Sequence, residues 1–133
     1  MTATVDTLAA RFEAAMQAQI RIRASQEPAA ARRVLSARCL VEIGDAPYLL
    51  EFAHGRPVAC TRLSGLLTTH DFSVRGTTAA WVSLWTDPPP PGRQDLLALY
   101  KLGEVRLEGR LEPLMAHLQY FKDLLASPRA GGR

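Results

Sequence analysis

The chain has 133 residues, 47% of them hydrophobic and 22% charged, with a formal net charge of +3 and a pI near 9.2. That size and balance fit one folded domain, and exclude both a disordered chain and a helical membrane bundle, since no apolar run approaches the ~20 residues that span a bilayer. The excess of positive charge is too small to argue for nucleic acid, and the two cysteines, Cys39 and Cys60, lack CxxC or metal-ligand spacing, so they read as reduced, buried thiols of a cytoplasmic protein.

The first ten residues contain Asp6 and no basic segment, so no secretory signal is expected. Val5, Leu8, Phe12, Met16 and Ile20 recur at helical spacing and predict a helix over about 5–23, capped by Thr4 or Asp6. Pro28 suits the first turn of a second short helix running to about Leu35. Arg21, Arg23, Arg32, Arg33 and Arg38 crowd this region, with Glu27 as the one acid. Such a cluster suits phosphates or an anionic membrane surface, at most in transient contact. No aromatic residues interleave with it, so a solvated helix face is the favoured reading.

The period then shortens to two. Cys39, Val41 and Ile43 alternate with Arg38, Leu40 and Glu42 as a strand. Gly44-Asp45 turns into a second strand, Tyr48–Ala53. His54–Pro57 turns again into a third, Val58–Leu63. Connections this short predict an antiparallel meander. Residues 65–69 form a loop and 71–75 a fourth strand. Gly76-Thr77 caps a helix over 78–84 that carries Trp81, Leu84 and Trp85. Pro88–Pro91 favours an extended polyproline strap. Gln94–Lys101 is helical and stops at Gly103, and a fifth strand covers 104–108. A last helix is predicted over 112–126, turning Leu114, Met115, Leu118, Phe121 and Leu125 inward. The tail from 127 to 133 is expected to fray. The fold class is therefore α+β, one domain over 1–133. Helices over 5–35 precede a five-stranded, mostly antiparallel sheet and its helices over 37–126, and one face of the sheet is covered by helices.

Catalytic signatures are thin. No GxSxG, HExxH or glycine-rich phosphate loop is present. The histidines, His54, His70 and His117, are scattered, and neither a metal nor a cofactor is implied. Glu42 and Glu51 alternate with apolar residues and suit the solvent face of the sheet. No enzyme activity is expected. The aromatic and leucine clusters carry more information, because large apolar side chains line pockets without polar partners.

Three segments resemble the sterol carrier protein type 2 family: EIGDAPYLLEFAHGRP over 42–57, DFSVRGT over 71–77 and KLGEVRLEG over 101–109. The resemblance covers roughly residues 37–125. It implies an apolar tunnel between sheet and helices for a lipid, sterol or fatty acyl chain. Phe52, Trp81, Leu84, Trp85, Leu97, Tyr100, Met115, Leu118 and Phe121 are the ligand-binding candidates in the segments that would line it. Arg75, Arg93 and Lys101 are candidates for an anionic head group. Two departures stand out: Arg110 follows the late glycine where the family often has Asp, and the proline connector over 87–92 is long. The chain ends Ala-Gly-Gly-Arg rather than in the peroxisomal tripeptide of eukaryotic members, so a bacterial, cytoplasmic type is expected. The alternative function is a protein-interaction or accessory module of a lipid or quinone pathway, with a filled core and a homodimer or protein partner.

Overall fold

A computed structural model describes residues 4–64 and 68–131. Part of the loop expected over 65–69, and the last two residues of the tail, lie outside the described residues. The chain forms α1 (Val5–Arg23), a 3-10 turn (Ala30–Val34), β1 (Ala37–Ile43), β2 (Ala46–Ala53), β3 (Arg56–Arg62) and β4 (Phe72–Gly76). It continues with α2 (Thr78–Leu84), α3 (Leu96–Lys101), β5 (Val105–Gly109), α4 (Glu112–Ala116) and α5 (Leu118–Gly131).

The strands make one five-stranded sheet in the order β3-β2-β1-β4-β5. β1–β2, β2–β3 and β4–β5 are antiparallel, while β1–β4 is parallel, so the sheet is mixed. The parallel pair follows from topology. After the meander the chain leaves edge strand β3 and returns beyond β2 to the far side of β1, which a hairpin cannot achieve.

Alternation decides what each face of the sheet carries. Ala37, Cys39, Val41 and Ile43 of β1 share a face with Tyr48, Leu50 and Phe52 of β2 and with Phe72 and Val74 of β4. All are buried, and they join Leu8, Phe12 and Met16 of α1, Trp81 and Leu84 of α2, and Phe121, Leu124 and Leu125 of α5 in one core. The opposite face carries ion pairs: Arg75 Nη1 lies 2.8 Å from Glu42 and its Nε 3.1 Å from Glu108, and Arg38 lies 3.4 Å from Glu51. Leu40, Leu49 and Ser73 on that face are buried as well.

Local chemistry sets the helix ends. The Thr4 hydroxyl accepts from the Thr7 amide, Thr77 from Ala80 and Asp95 from Ala98, each satisfying a donor that the first helical turn leaves unpaired. Gly76 is required by packing rather than by backbone strain. A Cβ there would sit 2.5 Å from Trp81 Nε1, so the indole packs directly against the strand.

The last helix differs from the expected single segment over 112–126. It breaks at His117, with φ −129° and ψ 39°, and α5 continues through Pro128 to Gly131 instead of fraying from 127. Proline within a helix leaves the carbonyl four residues back without its donor. Here the Ser127 hydroxyl donates to that carbonyl, Leu124 O, at 2.7 Å. The next carbonyl, Leu125 O, accepts from Trp85 Nε1 at 2.8 Å. Arg11 donates to Pro128 O and Trp85 O, and Arg129 to Leu84 O and Gln94 O. These bonds hold the end of α5 against α1 and α2.

Candidate ligand-binding site

Two aromatic groups pack between sheet and helices. In the first, Trp81 and Trp85 lie 5.2 Å apart, Phe12 stacks on Trp85 at 6.1 Å, and Phe12 meets Tyr48 at 5.3 Å. Both indoles are satisfied by the protein, Trp81 Nε1 donating to Glu42 O at 2.9 Å and Trp85 Nε1 to Leu125 O. The Tyr48 hydroxyl donates to Glu13 at 3.0 Å. Burial, helped by that acidic partner, pushes the Tyr48 phenol up to about 12. Burial does the same to the Cys60 thiol, also to about 12, and moves Cys39 further up. None of these groups is prepared to act as a base or nucleophile near neutral pH.

The second group is built differently. Phe121 meets Phe52 edge-on at 5.1 Å and Phe72 at 5.5 Å, and Tyr120 lies 5.7 Å from Phe121 and 6.3 Å from Phe52. The outer face of Tyr120 is covered by cations, with the Arg32 guanidinium 4.3 Å and that of Arg23 5.4 Å from the ring centre. The Tyr120 hydroxyl is buried and has no hydrogen-bond partner among the described residues. Burial raises its pKa, and Arg23 and Arg32 pull it back. An unpaired buried hydroxyl costs about 1–3 kcal/mol, so this atom is either a local defect or a donor held for something else.

The same two arginines line a depression of ≈ 90 Å³, together with Gln26, Glu27, Pro28, Gly55 and Arg56. Its walls come from the end of α1, residues 26–28, the 3-10 turn and the β2–β3 turn. Gly55 has φ +84° and its α-carbon faces the Arg32 carbonyl so closely that a Cβ would come within 2.6 Å. Its amide donates to Leu35 O at 2.8 Å, and Arg32 Nε donates back to Gly55 O at 3.1 Å. Arg56 Nε donates to Gln26 O, and Glu27 lies 3.8 Å from Arg56 and 3.7 Å from Arg33. The lining therefore holds three guanidiniums and one carboxylate, with Arg23 Nε donating to Gln19 Oε1 at 3.0 Å, an excess of cationic donors suited to a carboxylate or phosphate oxygen.

The nine residues singled out from the sequence separate. Phe52, Trp81, Leu84, Trp85 and Phe121 are buried between sheet and helices, and Leu118 is half-buried against them. Leu97 is half-buried on α3 and lines an outer groove with Lys101 and Lys122. Tyr100 and Met115 are each 47% exposed. Leu96 and Leu99 of α3 and Leu114 of α4 take the core-facing positions, which leaves Tyr100 and Met115 turned outward. Two of the head-group candidates are engaged elsewhere: Arg75 is held by Glu42 and Glu108 on the opposite face of the sheet, and Arg93 pairs with Glu104. Tyr120 is absent from the sequence candidates, although it adjoins Phe121. The arginine cluster is visible in the sequence, but its convergence depends on the β2–β3 turn packing against the 3-10 turn, which no local pattern encodes.

The fold is that of sterol carrier protein 2. A crystal structure of sterol carrier protein 2 superposes with a TM-score of 0.64 at 20% identity, over 88% of this chain and 95% of that one. A conserved hypothetical protein of Thermus thermophilus, described as a possible sterol carrier protein, gives 0.61 at 18% identity over 91% and 85% of the two chains. A UbiJ-SCP2 ubiquinone synthesis protein gives 0.54 at 18% identity over 91% and 95%. No protein-family model matches the sequence, and no curated protein does.

Proposed function

We propose that this chain binds an amphiphile without transforming it, its apolar tail between sheet and helices and its anionic head at Arg23, Arg32 and Tyr120. One observation carries the reading. The Tyr120 ring meets Phe52 and Phe121 and also carries Arg23 and Arg32, two arginines that line the hollow, and its buried hydroxyl has no partner among the described residues. A head-group oxygen accepts from that hydroxyl and from the arginines, while the tail follows the aromatic side chains inward. The tail gains about 25 cal/mol for each Å² of apolar surface removed from water, less ordering costs.

The tail enters where α5 is held least. The C-terminal end of α5 is fixed by the hydrogen bonds of Arg11, Trp85 and Arg129. Its N-terminal half begins at the His117 break and rests on aromatic contacts, cation–π contacts and the Lys122–Asp95 pair at 3.1 Å. The likeness to a protein named as a sterol carrier supports this reading, and the likeness to a UbiJ-SCP2 ubiquinone synthesis protein supports a place in a lipid or quinone pathway.

Titration of a fluorescent long-chain fatty acid into the protein, followed by displacement with the unlabelled acid and with its methyl ester, tests the proposal. Saturable binding with the ester displacing more weakly is expected. No binding of either would refute it. A second reading, an accessory module with a filled core, is favoured by the tight packing of Trp81, Trp85, Phe12 and Tyr48, whose polar atoms are satisfied internally. Absence of any ligand uptake would favour that one.

A further inference from the structure

The two edges of the sheet are built differently. β3 carries Pro57, is flanked by Arg56 and Arg62 at its ends, and meets β2 through a register shift at Glu51/Phe52. Proline, like charges and irregularity are the usual defences of an edge against pairing with another chain. β5, Val-Arg-Leu-Glu-Gly, has neither a proline nor a register shift in its pairing with β4. No described strand pairs with its outer side. Along it runs an open groove of ≈ 500 Å³ lined by Tyr100, Lys101, Val105, Arg106, Leu107 and Glu108, among others.

The hydrogen-bond phase determines which backbone groups this edge offers. In an antiparallel pair, every second residue exchanges its backbone bonds with the strand opposite and the others turn theirs away. The Arg110 amide donates to Asp71 O at 2.7 Å and the Thr77 amide to Glu104 O at 3.4 Å. The register puts Glu108 opposite Ser73 and Arg106 opposite Arg75, in the same phase. The backbone N–H and C=O groups of Val105 and Leu107 therefore face outward. The outward-facing residues flank Arg106 and Glu108, whose side chains lie on the charged face of the sheet 2.8 Å apart.

We propose that β5 pairs with β5 of a second copy of this chain, about a two-fold axis at Leu107, joining two sheets into one. Charge complementarity selects this occupant. With Leu107 opposite Leu107 of the second copy, the antiparallel register sets Arg106 opposite Glu108 and Glu108 opposite Arg106. Both contacts are favourable cross-strand pairs, and both fall at non-hydrogen-bonded positions where side chains approach most closely. A two-fold axis repeats each contact, so the surface is complementary to itself. A shift of one residue in the sum of paired positions would remove both charge pairs and mismatch the outward groups. The proposal stands apart from ligand binding, since no residue of the cationic hollow lies on this edge.

The test is sedimentation equilibrium of the full chain and of R106E and E108R, alone and mixed. Wild type is expected to dimerise with a dissociation constant between about 1 μM and 1 mM. Each variant makes both cross-strand pairs repulsive, and is expected to weaken the dimer by roughly 10-fold or more. An equimolar mixture of the two variants restores opposite charges at both pairs and recovers the dimer. A second measurement needs no variant: amide exchange at Leu107 and Val105 slows as wild-type concentration rises. A wild-type chain that stays monomeric at about 1 mM overturns the proposal. So does a dimer indifferent to both substitutions, or one whose Leu107 amide exchanges at a concentration-independent rate.

Discussion

Replacing Tyr120 with Phe removes one oxygen atom and keeps the ring. That oxygen is buried and has no hydrogen-bond partner among the described residues, so its removal relieves a desolvation cost of about 1–3 kcal/mol. The ring still meets Phe52 and Phe121 edge-on and still carries Arg32 and Arg23 on its face, contacts that phenylalanine sustains nearly as well. Because Tyr120 itself is only half-buried, the gain belongs at the low end, about 1 kcal/mol. For a domain between the small and medium sizes surveyed, that raises Tm by roughly 3–5 °C. The same substitution removes a donor to the ligand head, and should weaken binding of a long-chain carboxylate by roughly 10-fold, about 1.4 kcal/mol. Calorimetry of the ligand-free protein and displacement of a fluorescent fatty acid measure the two effects. Opposite signs are the diagnostic, because a group kept for function at a cost in stability gives that pattern. A Y120F protein that is less stable and binds as tightly as wild type would rule out a functional role for this hydroxyl.

Gly76→Ala should cost about 2 kcal/mol or more, since the new Cβ falls 2.5 Å from Trp81 Nε1 and must break its bond to Glu42 O or shift the indole. Urea midpoints and near-ultraviolet circular dichroism would register it. Arg129→Ala removes the donors to Leu84 O and Gln94 O, and should lower stability by about 1–3 kcal/mol while speeding amide exchange along α5; unchanged exchange would contradict its clamping role. Stability should also fall at alkaline pH. The folded chain holds Tyr48 protonated from its ordinary 10.0 up to about 12 and Cys60 from 9.0 up to about 12. The unfolded chain releases both protons first. Their contribution is therefore complete below about pH 9 and is lost as pH rises toward 12. Urea unfolding between pH 8 and 11.5 that shows a flat midpoint would count against this burial.

How far the sequence reveals this molecule depends on the range of the interactions. The alternation of Cys39, Val41 and Ile43 with Arg38 and Glu42 marks β1 and its core face correctly, because strand periodicity is local. The start of α2 and the extent of α1 are legible for the same reason, through Thr77 and the spacing of Leu8, Phe12 and Met16. The parallel β1–β4 pair is not local, since it depends on where the chain returns after residue 71. The end of α5 is not legible either, because Pro128 ordinarily stops a helix. Here Ser127, Trp85, Arg11 and Arg129 satisfy the carbonyls of its last turns and of the segments it packs against. Among the proposed contacts, Trp81, Trp85, Phe52 and Phe121 are recognisable as large apolar groups. Their separation into a satisfied cluster and one that abuts cations is not, because it depends on Arg32 meeting Gly55 across the β2–β3 turn.

Native mass spectrometry of the intact chain incubated with a long-chain fatty acid is the sharpest measure of ligand binding. A one-to-one adduct is expected that survives for wild type and is largely lost for a variant carrying both R23A and R32A, while that variant remains folded by circular dichroism. A wild-type spectrum containing only the bare chain across the accessible range of fatty acid concentrations would contradict it.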